Sequence, residues 1–187
     1  MILDMVQGAS PSDRDRLYVD AVEKYSAALV RLVNGYEANA DRRRDLLQEI
    51  HIALWTSLGS FKEQCALQTW VYRVAHNVAI NYVVKEKRYN NRTMIGLDEI
   101  EDMPQLNDST ESLARVVDTS NVLERLRKMI QKLKMPDRQV ILLYLDDVDA
   151  ETSAQITGIS AANVATKIHR IKNILARNFH SGGLDDV

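Results

Sequence analysis

Apolar residues recur along this 187-residue chain mostly at three- and four-residue steps, the period of helices that bury one face. From Leu17 to about Tyr36 the repeat runs through Val22, Tyr25, Leu29, Leu32 and Val33, and Asn34-Gly35 is a natural stop. A second helix is predicted from Asp41 to Leu58, with Leu47, Ile50, Leu54 and Leu58 inward and Gly59 ending it. After a loop to Leu67, a third is predicted over Gln68–Lys87. Its inner stripe is Trp70, Val71, Val74, Val78 and Tyr82; Arg73, His76, Asn77, Ile80 and Lys87 fall on the other face. Residues 90–117 lose the period and turn polar and acidic around Pro104, the composition of a tether without fixed structure. The period resumes near Thr119 with Val122, Leu126, Met129, Ile130 and Leu133. Met135-Pro136-Asp137 interrupts it, and Asp137 is placed to cap a helix from Arg138 to about Leu145. An acidic turn, Asp146 to Glu151, leads into the final segment.

That segment, Thr152–Arg177, has the spacing of a helix-turn-helix. Ala154 lets two helices lie close, Gly158 takes the positive φ of a tight turn, and Val164 is an apolar peg on the second helix. Val164, Ile168, Ile171 and Leu175 continue as one buried stripe. The expected fold is all-α, with two small helical domains, 17–89 and 118–179. A flexible acidic linker, 90–117, joins them, and the termini, 1–16 and 180–187, are expected to be flexible.

Composition supports an all-helical reading, with only seven Gly and three Pro. No apolar run approaches the ~20 residues of a membrane span, and the N-terminal stretch lacks the pattern of a signal peptide. A single cysteine, Cys65, excludes an internal disulfide and fits a reducing cytoplasm. The net charge of −2 argues against nucleic-acid binding only until it is divided along the chain. Residues 96–117 carry a strongly acidic balance, whereas the segments on either side are slightly basic. No acidic residue lies between Glu63 and Glu86, or between Thr152 and Leu184.

Three faces carry candidate chemistry. The outward face of the last helix carries Ala162, Thr166, His169, Arg170 and Asn173, small and polar residues suited to base edges and phosphates. On the second helix, Asp45, Gln48, Glu49, Ile52 and Trp55 place an apolar residue inside an acidic and amide patch. That mixture suggests a protein-docking surface; the alternative, that Ile52 and Trp55 are intramolecular core, stays open. The third helix sets Arg73, Asn77 and a basic end from Lys85 through Arg88 to Arg92 beside aromatic rings, as in a groove for single-stranded nucleic acid. The four histidines, His51, His76, His169 and His180, form no metal-binding pair, and there is no Gly-rich phosphate loop or nucleophile elbow. No metal, cofactor or enzymatic activity is expected.

Together these motifs resemble one family. Asp45-Leu-Leu-Gln-Glu-Ile-His-Ile-Ala-Leu-Trp55, then Phe61, then Thr69-Trp-Val-Tyr-Arg-Val-Ala-His-Asn77 are similar to region 2 of bacterial extracytoplasmic-function RNA polymerase sigma factors. Pro136-Asp-Arg-Gln-Val-Ile-Leu-Leu-Tyr-Leu145 and the helix-turn-helix resemble region 4. The resemblance implies that Asp45, Gln48, Glu49, Ile52 and Trp55 dock on the β′ clamp helices of core RNA polymerase, with region 4 near the β flap. It implies that Phe61, Lys62, Arg73, Asn77, Asn81, Lys85 and Arg88 melt and hold the non-template strand at a −10 element. It assigns Ser160, Ala162, Asn163, Thr166, Lys167, His169 and Arg170 to duplex reading at −35. An anti-sigma factor is implied in the same way, and with it a cytoplasmic protein, nucleoid-associated when bound to polymerase or held at a membrane by that partner. The chain departs from the pattern in three places: Ser153 stands where an apolar residue is usual, Ala165 where Lys or Arg is frequent, and Glu63-Gln64-Cys65 replaces the usual −10 loop. No base identity is therefore carried over. From a different class, a stand-alone helix-turn-helix regulator shares many of these features, as does an adaptor with a vestigial motif.

Overall fold

The structure, a computed structural model, describes residues 11–93 and 119–181. Among the described residues seven helices follow in order: α1 (Pro11–Tyr36), α2 (Ala40–Leu58), α3 (Leu67–Thr93), α4 (Thr119–Gln131), α5 (Met135–Leu145), α6 (Ala150–Thr157) and α7 (Ala161–Ser181). No strand occurs among the described residues.

Helix α1 begins earlier than the apolar repeat predicts, so residues 11–16 are helix and not a flexible arm. Proline is favourable at a first helical position and Asp13 in the first turn complements the helix dipole. Asn39 starts α2: its Oδ1 accepts from the backbone N–H of Asp41 and Arg42, both at 3.0 Å. The buried stripe of α2 is Leu46, Ile50, Leu54 and Leu58, a strict four-residue row; Leu47, expected inward, is only half-buried. Helix α3 continues to Thr93, so the first residues assigned to the linker are helical; the rest of the linker lies outside the described residues. Similarly, α7 runs through His180 to Ser181.

Two expectations about α3 and α5 are corrected. His76 is fully buried, not outward: the inward face of α3 is Val71, Tyr72, Ala75, His76, Ala79 and Val83, rotated from the predicted stripe. A polar side chain can occupy that stripe because the Tyr36 hydroxyl shares a 2.9 Å hydrogen bond with its Nδ1. Asp137 does not cap α5. Lys134 is the N-cap, without a side-chain cap bond, and Pro136 occupies the first turn.

The helix-turn-helix forms as expected. The Asp149 carboxylate accepts from Thr152 N–H at 2.9 Å and its hydroxyl at 2.7 Å, and these bonds hold it below the usual carboxylate range. Gly158 ends α6 at φ 78°. Val164 and Ile171 are fully buried, with Ile168 and Leu175 packed beside them. Ser153, the departure from an apolar residue, is 1 % exposed, and its hydroxyl is 3.4 Å from the Val148 carbonyl that accepts from it.

Helices α1–α3 form one bundle and α4–α7 another, yet a single apolar core runs through both. Helix α6 lies on α3, and α4 and α5 lie on α1. The faces of α1 and α5 meet at Gly35, where Leu142 fills the space a side chain would need.

Candidate nucleic-acid and polymerase interfaces

On α2 the row Leu46–Leu58 points to the core, so Asp45, Gln48, Glu49 and Ile52 point to solvent. Ile52 is 58 % exposed, which removes the reading that it is core. Trp55 is different. It is partly exposed, but its indole N–H donates to Asp15 Oδ1 at 3.0 Å and the Arg14 guanidinium stacks 3.7 Å above its ring. The extra turns of α1 therefore hold Trp55 in place at the edge of the acidic patch.

Phe61 is nearly buried against Trp70, with ring centroids 5.2 Å apart, and Trp70 donates to Ser57 Oγ at 3.2 Å. These rings anchor the loop after α2. They leave Lys62, Glu63 and Gln64 exposed at its tip, with Glu63 at φ 55°. Along α3, Asn77, Asn81 and Lys85 form an exposed four-residue row. Arg73 begins that row, half-buried, and donates to the Gln155 carbonyl of α6 at 2.8 Å. Arg88 lies on the same helix, with its side chain outside the described residues.

Ser160, just before α7, and Ala162, Asn163, Thr166, His169 and Arg170 on it are exposed, and Lys167 is half-buried. Ser160 Oγ accepts from Asn163 N–H at 3.3 Å, and the Thr166 hydroxyl donates back to the Ala162 carbonyl at 2.9 Å. The two cations converge on one group: Lys167 Nζ is 2.7 Å from Asp137 Oδ1, and Arg170 is 2.6 Å from Asp137 Oδ2. On the next turn Lys172 lies over the Tyr144 ring and donates to its hydroxyl at 3.3 Å.

The contacts between the two bundles were not visible in the sequence. Arg31 is paired with Asp146 at 2.6 Å, and Gln131 donates to the Asn34 carbonyl at 2.8 Å. Arg138, 6 % exposed, lies beside the Tyr36 ring and donates to the carbonyls of Gln131 and Leu133. Burial pulls the Arg138 guanidinium down from its ordinary value and pushes the Asp146 carboxyl up, with Arg31 opposing the latter. The nearest sequence signal was Arg138 itself, a cation inside an apolar helix. No group of His, Cys, Asp or Glu among the described residues is arranged to hold a metal ion.

With these faces in place, comparison with known proteins decides their family. Residues 21–89 match the Sigma-70 region 2 profile and residues 123–175 the Sigma-70 region 4 profile. The chain belongs to the sigma-70 family, in its extracytoplasmic-function group. The ECF RNA polymerase sigma factor SigW of Bacillus subtilis is 25 % identical, over 95 % of this chain and 96 % of that protein. The ECF RNA polymerase sigma-E factor of Escherichia coli is 27 % identical, over 80 % of this chain and 78 % of that one. The fold is also that of CnrH, solved in complex with the cytosolic domain of CnrY (TM-score 0.65, 17 % identity, 91 % of this chain and 92 % of that one). It likewise matches RpoE of Bartonella quintana, solved with the anti-sigma factor NepR (TM-score 0.58, 21 % identity, 84 % and 95 %). As a sigma factor the chain is a DNA-binding transcription initiation factor and not a stand-alone regulator. No helix among the described residues is long and apolar enough to cross a membrane.

Proposed function

We propose that this sigma factor docks on the β′ clamp helices of core RNA polymerase through Asp45, Gln48, Glu49 and Ile52, with Trp55 bracing the edge. The observation that carries the docking surface is the exposed Ile52 amid acidic and amide side chains on α2, on the side away from its own core. The row Arg73–Asn77–Asn81–Lys85, with Lys62 and Arg88, tracks the melted non-template strand at −10. Phe61 acts there by shaping the loop, because its ring is packed on Trp70. The α7 face from Ser160 to Arg170 reads the −35 duplex in the major groove, and region 4 meets the β flap. Strand opening needs no catalytic side chain, since binding of unpaired bases and phosphates offsets unstacking of a few kcal/mol per step. The protein acts in the cytoplasm, and an anti-sigma protein is its natural restraint.

The two elements lie about 25 base pairs apart by their names, roughly 85 Å of B-form duplex. Here α3 and α6 touch. The free chain is accordingly a closed form, and polymerase separates the two bundles as it places each on its element. Pull-down with core polymerase tests the docking face: Asp45→Ala combined with Gln48→Ala should reduce co-purification at least several-fold. Retention at the wild-type level moves the interface elsewhere. Arg170→Ala should weaken −35-dependent promoter binding by the holoenzyme, and undiminished binding would remove α7 as the reader.

A further inference from the structure

We propose that Asp137 is a specificity-determining residue of the −35 reader, holding Lys167 and Arg170 in one geometry and shielding them from indiscriminate phosphate binding. The proposal rests on the reading of α7 as the −35 helix.

Both cations of the exposed α7 face, Lys167 and Arg170, end on the same carboxylate, one on each oxygen. The Asp137 side chain is largely withdrawn from solvent (15 % exposed), while Arg170 remains 57 % exposed. The carboxylate is thus the sheltered partner of the pair, and much of the Arg170 side chain stays open to solvent. Arg170 engages it through Nη2, and a guanidinium has further N–H donors to present to a groove. Free, a long cationic side chain samples many rotamers, and ordering it on a base opposes binding. With the side chain so held, much of that ordering is already present in the unbound protein.

Charge adds a second effect. With Asp137 ionised, two cations and one anion leave the face with about one net positive charge in place of two. Affinity for any duplex rises with each phosphate neutralised and falls with salt at a slope of about 0.9 per contact. Reducing that general attraction favours the cognate site over the excess of other sequences. The Asp137 carboxylate is not the cap of its own helix, whose N-cap is Lys134 without a side-chain cap bond. Its position in the first turn, favourable to the helix dipole, accounts for an acidic residue there. It does not account for both oxygens reaching across to α7.

The test uses wild-type and Asp137→Asn protein, each reconstituted with core polymerase. A random-sequence duplex library selected with the wild-type holoenzyme yields its preferred −35 sequence. Binding to that duplex and to a scrambled one is then measured across a salt series. The expected result is a fall of about tenfold in the preferred-to-scrambled ratio. Scrambled-duplex binding should strengthen, with a steeper salt dependence, and Asp137→Glu should recover part of the ratio. In an Arg170→Met background, adding Asp137→Asn should change the ratio far less, which separates positioning from a general folding defect. An unchanged ratio, or equal weakening on both duplexes with a lowered Tm, overturns the proposal and leaves the pair as a structural tie. A wild-type holoenzyme that selects no −35 sequence overturns both this proposal and the reading beneath it. Selection by the wild type with an unchanged Asp137→Asn ratio overturns this proposal alone.

Discussion

Gly35 lies one residue from the end of α1, and a Cβ built on it would fall 2.5 Å from Leu142 Cδ2 and 2.8 Å from Cδ1, across the junction between the bundles. Gly35→Ala therefore acts as a wedge with two separable effects. Within α1, alanine in place of glycine favours helix by roughly 0.5–1 kcal/mol, and it does so whether the bundles are together or apart. That gain cancels in the closed-to-open equilibrium. The clash exists only when the bundles are closed. Overpacking a filled core costs about 1–3 kcal/mol. The atoms met are the ends of a flexible side chain, which lowers the figure, but Leu142 is only 6 % exposed and its Cγ is itself 3.2 Å away. A cost near 1–2 kcal/mol shifts the equilibrium toward the open form by a factor of about 5–30. Energy transfer between a dye on Cys65 and one on a cysteine introduced at Asn178, with small-angle scattering in parallel, reads that shift as greater separation. In a Leu142→Ala background the atoms that clash are gone, so Gly35→Ala should open the bundles far less than it does in the wild type. Unchanged separation and scattering, together with a raised Tm, would refute the reasoning: the helix gain would be all that the substitution produced.

Two further outcomes follow from the same geometry. Burial lowers the His76 pKa from 6.5 to about 3, so the unfolded chain binds a proton that the folded chain refuses as pH falls through 6.5. Stability is complete above that value and should decline by about 1.4 kcal/mol per unit below it, near 2 kcal/mol by pH 5. Half-buried His51 is shifted the same way. Thermal melts at pH 7.5 and 5 should show this, with a shallower dependence in His76→Gln; identical slopes would count against it. On α2, Ile52→Glu removes the exposed apolar contact without touching the core, so the Tm should hold while core-polymerase binding falls about tenfold or more in a titration. Loss of both would make Ile52 a folding residue.

Helix placement was legible because each helix buries a stripe, and a stripe leaves a period in the sequence. The Gly158 turn and the Val164 peg were legible for the same reason: one needs a positive φ, the other an apolar side chain at a fixed distance along α7. The errors lie where a polar group takes an apolar position. His76 falls outside the stripe that the apolar period marks on α3, yet its bond to Tyr36, on another helix, lets it sit in the core. The first turns of α1 carry no apolar repeat, because what orders Arg14 and Asp15 is Trp55, forty residues on. Contacts such as Arg31–Asp146 link positions with no local pattern, so periodicity gives no sign of them.

The cations on the proposed nucleic-acid faces change what the chain's charge means. A net charge of −2 suggests weak attraction to DNA, but the local faces are basic, and net charge alone does not set the affinity. Partners do. Arg73 is turned to the Gln155 carbonyl, and Lys167 and Arg170 to Asp137. The first of these contacts exists only while the bundles are closed, whereas the Asp137 pair lies within one bundle and survives opening. On the proposed reading, separation of the bundles would free the −10 row without disturbing the geometry of the −35 helix. A single rigid-body movement would then release one reader and leave the other already set, which is the order that suits a protein whose duplex contact must be found before its strands are opened.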